Sequence, residues 1–268
     1  MAIYDYQGNV IESGGGTAQA INYDATVKGI AHRGYSETAP ENTLPAYKLA
    51  KQNGFNYVEC DVSFTSDGIP MLLHDATIDR TSNGSGTLSQ MTYAQVRQYD
   101  FGSWKNSSYA GTVIPTLEEF ITLCRNIGLH PYIELKENGS YTEAQVQGIV
   151  DIVNSCGMQG NVSYISFSAT YIGYVHAYDA GARIGRVTTN VTSGEITHLL
   201  TLKGSNEIFV DASNLGDTYV NLCKTNGIPM EAWTVDSTST ILSMNPYVTG
   251  VTSNSLIAGK VLYEANIE

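Results

Sequence analysis

The stretch "TLEEFITLCRNIGLHPYIEL", Thr116 to Leu135, holds a helix-like segment, a stop signal and a strand-like run in direct succession. Residues 116–128 are amphipathic and end on glycine, as helix C-termini often do. An apolar run, "HPYIEL" (130–135), follows at once. The same Asn-Gly or Ile-Gly stop recurs at 53–54, 127–128 and 226–227, each time just before a strand-like run. Working outward, strands are expected at 27–32, 56–62, 130–135, 161–167, 182–187, 207–211, 228–235 and 248–253, with amphipathic segments such as 44–54 between them. Eight strands alternating with helices predict an α/β fold, the (β/α)8 TIM barrel. A doubly wound open sheet competes, but no G-x-G-x-x-G follows the first strand.

Three regions fall outside the alternation. Residues 1–26 read as a polar arm, with a turn-like "QGNV" and a "SGGG" linker, ahead of a barrel spanning 27–268. After "ECDVSFTSDG" the chain turns at Asp67-Gly68 and returns as "IPMLLHD", which predicts a hairpin at the rim. Residues from about 75 to 114 are too long for an ordinary loop and predict a small rim insertion after that hairpin.

Composition narrows the function. With 14 Lys and Arg against 26 Asp and Glu, the formal charge is -12, which argues against nucleic-acid partners and basic membrane patches. Cys60, Cys124, Cys156 and Cys223 form no CxxC pair and read as buried, reduced thiols. No signal peptide and no integral membrane segment is visible, so a cytoplasmic location is expected.

In a barrel the chemistry collects at the C-terminal ends of the strands. The first strand ends in His32 and Arg33, and the second carries Glu59 and Asp61, two apart and so on one face. The hairpin ends in His74 and Asp75, the third strand carries Glu134 and Lys136, and the seventh carries Glu231 and Trp233. Converging carboxylates repel one another unless a hard cation turns repulsion into coordination, and Mg²⁺ or Ca²⁺ suits an all-oxygen set. Zinc fits less well, since Cys60 points away from Glu59 and Asp61. A cation with Arg33 and Lys136 makes a site for phosphate oxygens, and two histidines can divide the proton work. The set reads as phosphodiester cleavage. Each member alone has a plainer reading: a solvated edge for E-x-D, core or capping for a histidine, a surface charge for Lys136, core for Trp233. Their convergence on strand ends is what favours chemistry. His130, His176 and His198 have no partner at the expected rim and read as core or capping groups.

"HRGYSETAPENT", "ECDVSFTSDGIPMLLHD", "IPTLEEF", "IELK" and "WTV", in order over residues from about 27 to 257, resemble the glycerophosphodiester phosphodiesterase family. The resemblance implies a TIM barrel that hydrolyses small glycerophosphodiesters to glycerol 3-phosphate and an alcohol with one divalent cation. It implies metal ligands at Glu59, Asp61 and Glu134, acid–base histidines at His32 and His74, and phosphate contacts at Arg33 and Lys136. It also implies an aromatic wall at Trp233 and loop support from Glu41 and Asn42. The chain departs from the family where the last strand usually ends in Thr-Asp, since it reads Ser253-Asn254 here. The arm has no counterpart in the minimal barrel; docking on it, oligomer contacts and attachment to a larger extracellular or virion assembly stand open. Lysophospholipids or glycerol-phosphate polymers are the alternative substrates, with the insertion aromatics Tyr93, Tyr99, Phe101, Trp104 and Tyr109 expected to decide between pocket and groove. A non-catalytic binding barrel is the alternative of a different class.

Overall fold

The computed structural model describes residues 2–4, 10–13, 28–136, 141–202, 206–237, 240, 244 and 247–255. Within the arm, strands β1 (Ala2–Tyr4) and β2 (Val10–Ser13) pair antiparallel, which the polar reading of 1–26 did not anticipate. The "SGGG" linker lies outside the described residues.

Strand β3 (Lys28–Ala31) leads through the first loop to helix α1 (Leu44–Gln52) and then to β4 (Tyr57–Phe64). Strand β5 (Pro70–Leu72) returns antiparallel on the upper half of β4, as the hairpin reading required. The insertion holds one short α-helix, α2 (Tyr93–Val96), and two 3-10 turns, Leu88–Gln90 and Ser107–Tyr109, before α3 (Leu117–Ile127) and β6 (His130–Leu135). Regular alternation follows: α4 (Glu143–Ser155), β7 (Ser163–Ser166), α5 (Ala169–Tyr178), β8 (Arg183–Thr188), α6 (Ser193–Thr201), β9 (Asn206–Asp211), α7 (Asp217–Asn226), β10 (Met230–Trp233) and β11 (Val248–Ser253). Strands β3, β4 and β6 to β11 are all parallel, and the pairing of β3 with both β11 and β4 closes them into an eight-stranded barrel.

Local chemistry explains the unit quoted above. Thr116 caps α3 by accepting from Glu119 N at 3.1 Å, and the Glu119 carboxylate accepts from Thr116 N at 2.9 Å. Such a reciprocal cap stabilises a helix by about 1 kcal/mol. Leu117, Phe120, Ile121 and Cys124 sit on one face and bury it against the barrel. Gly128, at φ 66°, ends the helix in the left-handed conformation that disfavours side chains. Thr142 and Thr192 repeat the reciprocal cap on α4 and α6.

Inside the barrel, Ile30, Tyr132, Ile165, Val187 and Phe209 pack as a separate inner core. The insertion builds its own small core from Ile78, Leu88, Val96, Phe101 and Ile114 against Met71 and Leu73 of the hairpin. All four cysteines are free and buried. Among the described residues no helix is long and apolar enough to cross a membrane.

Candidate active site

The first loop is set by backbone conformations that side chains rarely tolerate. Arg33 and Asn42 both lie at positive φ, 57° and 55°, and Gly34 follows at 81°. A Cβ on Gly34 would come within 2.7 Å of the Ala46 Cβ, so only glycine lets the loop rest on α1. In this conformation Arg33 N donates to Glu59 Oε2 at 2.9 Å. Its guanidinium donates to Glu41 Oε1 at 2.8 Å and stands 3.1 Å from Asp61 Oδ2. Asn42 donates to Asp61 Oδ2 at 2.8 Å and accepts from Tyr47 OH and Asp61 N. Asn42 therefore ties the loop to β4, and Glu41 braces it through Arg33 and Arg80.

Glu59 and Asp61 face one side of β4, while Val58, Cys60 and Val62 face the helices. Asp61 lies directly across the ladder from Glu134 on β6. One ligand atom from each of Glu59, Asp61 and Glu134 falls within 4.8 Å of the others, and all three residues are buried. Glu59 Oε1 is buried without a hydrogen-bond partner. Lys136 Nζ forms ion pairs with Asp61 Oδ1 at 3.3 Å and Glu134 Oε1 at 3.0 Å.

The electrostatics divide the three acids. Burial, then the charges of Asp61 and Glu134, hold Glu59 well above the usual carboxylate range. Burial and Asp61 push Glu134 up to about 7, with Lys136 opposing. Burial also works against a charge on Asp61, but Arg33 and Lys136 outweigh it and hold that carboxyl below its ordinary value. Three buried carboxyls that cannot all ionise alone, with Glu59 Oε1 lacking any partner, are what a hard dication would satisfy.

His32 and His74 come to the same cavity from β3 and from the end of the hairpin. His32 Nδ1 lies 2.7 Å from Asn254 Oδ1, and Nε2 lies 3.9 Å from Glu59 Oε2. Burial, then the neighbouring Arg33, pushes His32 down to about 4. His74 Nδ1 lies 2.7 Å from Asp75 Oδ1. The cavity measures about 290 Å³ and is lined by His32, Arg33, Glu59, His74, Glu134, Lys136 and Trp233, with Asp61 just beneath. His32, Arg33, Glu59, Asp61, His74, Glu134, Lys136 and Trp233 thus gather at one place.

The opposite wall corrects an expectation. It is formed by Ile165, Phe167, Val187 and Phe209 from the middle strands, together with Trp233. None of Tyr93, Tyr99, Phe101, Trp104 and Tyr109 lines the cavity. Phe101 and Tyr109 are buried in cores, Tyr93 and Tyr99 pack on the insertion core, and Trp104 lies outside beneath Lys105. A small insertion packs most of its aromatics into its own core to stay folded, and Trp104, the exposed one, lies away from the pocket. Glu231 is corrected too: it faces the barrel floor, where it accepts from Lys28 Nζ at 2.6 Å. Sequence reasoning also missed Arg80, which donates to Asp75 and, through both terminal nitrogens, to Glu41. It missed Asp236 as well, which accepts from Asn254. The only sequence signal for Asp236 was its place three residues after Trp233.

Comparison with known proteins adds to this geometry. The family model described as glycerophosphoryl diester phosphodiesterase family matches residues 32–256. A glycerophosphodiester phosphodiesterase of Caldanaerobacter subterraneus subsp. tengcongensis is 30% identical over 207 residues, covering 77% of this chain and 85% of that protein. Mouse glycerophosphodiester phosphodiesterase 1 is 42% identical over 125 residues, but these cover 46% of this chain and only 38% of the mouse protein. Among solved structures, an Oleispira antarctica phosphodiesterase in complex with the product sn-glycerol-3-phosphate superposes with a TM-score of 0.79 at 27% identity, covering 92% of this chain and 100% of that one.

Proposed function

This chain belongs to the glycerophosphoryl diester phosphodiesterase family, and from that premise we propose that it hydrolyses small glycerophosphodiesters to glycerol 3-phosphate and an alcohol. The observation that carries the reading is the acid triad: three buried carboxyl groups with ligand atoms within 4.8 Å of one another, Glu59 Oε1 among them without a hydrogen-bond partner, beside a cavity that two histidines, an arginine and a lysine also line. A divalent cation, Mg²⁺ or Ca²⁺, held by Glu59, Asp61 and Glu134 would supply Lewis-acid charge at the phosphoryl oxygens.

The chain's own groups do the rest. Arg33 and Lys136 bring positive charge to the non-bridging oxygens and hold the phosphorus near the histidines. One imidazole takes the proton of the attacking water as its oxygen bonds to phosphorus. The bond from phosphorus to the alcohol oxygen breaks, and the second imidazole delivers a proton to that oxygen. Such proton transfers contribute roughly 10²–10⁴-fold. Trp233, Phe167 and Phe209 give the substrate's carbon skeleton an apolar wall and exclude water beside the reacting bond. A cavity of about 290 Å³ without insertion aromatics favours a small substrate over a lipid or a polymer.

The test is a cation screen against glycerophosphocholine, glycerophosphoethanolamine, a lysophospholipid and poly(glycerol phosphate). Glycerol 3-phosphate should be released from the small diesters only with added Mg²⁺ or Ca²⁺, and a chelator should abolish release. Turnover that survives the chelator refutes the metal role, and binding without turnover would make the barrel a binding module.

A further inference from the structure

Asp236 follows β10 and Asn254 follows the neighbouring strand β11, and together they stand behind His32. The Asp236 carboxylate accepts from Asn254 N at 2.7 Å, from Asn254 Nδ2 at 2.7 Å and from Ser253 Oγ at 2.9 Å. An ionised carboxylate has only lone pairs to offer, so the Asn254 amide must turn its NH₂ towards Asp236. The reverse orientation would set the amide oxygen against the carboxylate and leave both without a proton between them. With the NH₂ committed, the carbonyl Oδ1 faces His32 Nδ1 at 2.7 Å. That oxygen can only accept, so Nδ1 must donate.

The backbone holds both partners in register. His32 N donates to Ser253 O at 2.8 Å, and Glu37 N donates to Asn254 O at 3.0 Å. The Ser36 hydroxyl lies 2.9 Å from Asn254 Oδ1 and 2.8 Å from the His32 carbonyl, and so closes the loop on the same amide. A neutral ring with its proton on Nδ1 carries a bare lone pair on Nε2, and His32 lines the cavity.

We propose that Asn254 and Asp236 are positioning residues that lock His32 in the Nδ1–H tautomer, so that of the two histidines His32 is the one whose Nε2 receives the nucleophile's proton. The catalytic half of this statement rests on the phosphodiesterase reading above; the tautomer half does not. An imidazole locked with its proton on Nε2 could not accept, and neither Asn254 nor Asp236 touches the reacting atoms. Their effect passes wholly through the ring they orient.

The experiment is nitrogen NMR on protein labelled with ¹⁵N-histidine, with His32 assigned by a His32→Gln variant, alongside steady-state kinetics. In the unaltered chain His32 should show a protonated Nδ1 and an unprotonated Nε2. Asn254→Ala should scramble the tautomer and lower kcat about 10–100-fold while KM changes little. Asn254→Asp alone sets two carboxylates face to face and should lower kcat at least as much. The exchange Asp236→Asn with Asn254→Asp restores one amide and one carboxylate. It should recover both the tautomer and a kcat within about threefold of the unaltered chain. An Nε2–H tautomer in the unaltered chain overturns the proposal even if the enzyme turns over well. So does an Asn254→Ala variant with unchanged spectrum and rate, or an exchange that folds yet recovers neither. A chain with no phosphodiesterase activity but the stated spectrum would sink the proposed function and leave the tautomer lock standing.

Discussion

At the floor of the barrel Lys28 Nζ donates to Glu231 at 2.6 Å, to Glu207 at 2.8 Å and to Tyr132 OH at 3.1 Å. At the rim Lys136 and Arg33 stand beside Glu59, Asp61 and Glu134. Both clusters bury acids against cations, yet they are built to different ends. The floor cluster turns inward: one ammonium serves both acids and a phenol, and the single oxygen left over is Glu231 Oε2. The rim cluster has Lys136 and Arg33 among three acids, leaves Glu59 Oε1 without a partner, and opens on a cavity. Unsatisfied buried charge is costly, so a fold retains it only where something outside the chain can satisfy it. The same residue types thus make a structural brace at one end of the barrel and a reactive site at the other.

The sharpest way to break this contrast is to neutralise one acid at the rim. Glu59→Gln should lower turnover by about 10²–10³-fold, the loss of several kcal/mol of transition-state stabilisation, without lowering Tm. An equal fall in Tm would mean that the rim acids are structural after all. The converse experiment is Lys28→Met, which strands Glu207 and Glu231 without a cation. Removing one partner of a buried pair costs about 3–5 kcal/mol, and the 26% exposure of Lys28 reduces this to about 2–3 kcal/mol. Denaturant unfolding should show that loss while kcat per folded molecule stays put.

Arg80→Met tests the link between the insertion and the rim. Arg80 is the shared donor to Asp75, behind His74, and to Glu41, behind Arg33. Its loss should reduce kcat/KM about tenfold with little change in Tm. The smallest effect concerns pH. Burial, then Glu207, raises the Glu231 carboxyl from 4.5 to about 8, with Lys28 opposing. Between those values the folded chain holds a proton that the unfolded chain has released, so this group's contribution to stability falls as pH rises. Glu231→Gln should flatten the decline in unfolding midpoint across that window, and an unchanged slope would show that Glu231 stays ionised in the fold.

Much of this was legible along the chain. Short apolar runs located all eight barrel strands to within about two residues, because parallel strands buried on both faces leave near-continuous apolar stretches between helix stops. The i, i+2 rule put Glu59 with Asp61 on one face, and α3 and α7 ended on the glycines that marked their stops. The illegible parts were long-range. Asn254 meets His32 across 222 positions, and no local periodicity encodes that pairing. Phe167 and Phe209 read as ordinary strand residues, whereas the insertion aromatics were expected at the substrate, as a pocket wall or a groove lining. Packing reversed the two, since the insertion had to bury its rings and the barrel mouth did not.

By itself the sequence determined the alternation of strands and helices, the face each side chain takes on its strand, and the chemical types available at the strand ends. These follow from backbone geometry and side-chain periodicity within a few residues. Only the tertiary structure decided that Lys28 would serve the acids of the floor while Glu59 Oε1 at the rim was left without a partner beside a cavity, and that an aspartate held by an asparagine would stand behind His32. Those outcomes depend on closure of the barrel, which brings residues from opposite ends of the chain within hydrogen-bond reach and decides which buried charges find partners.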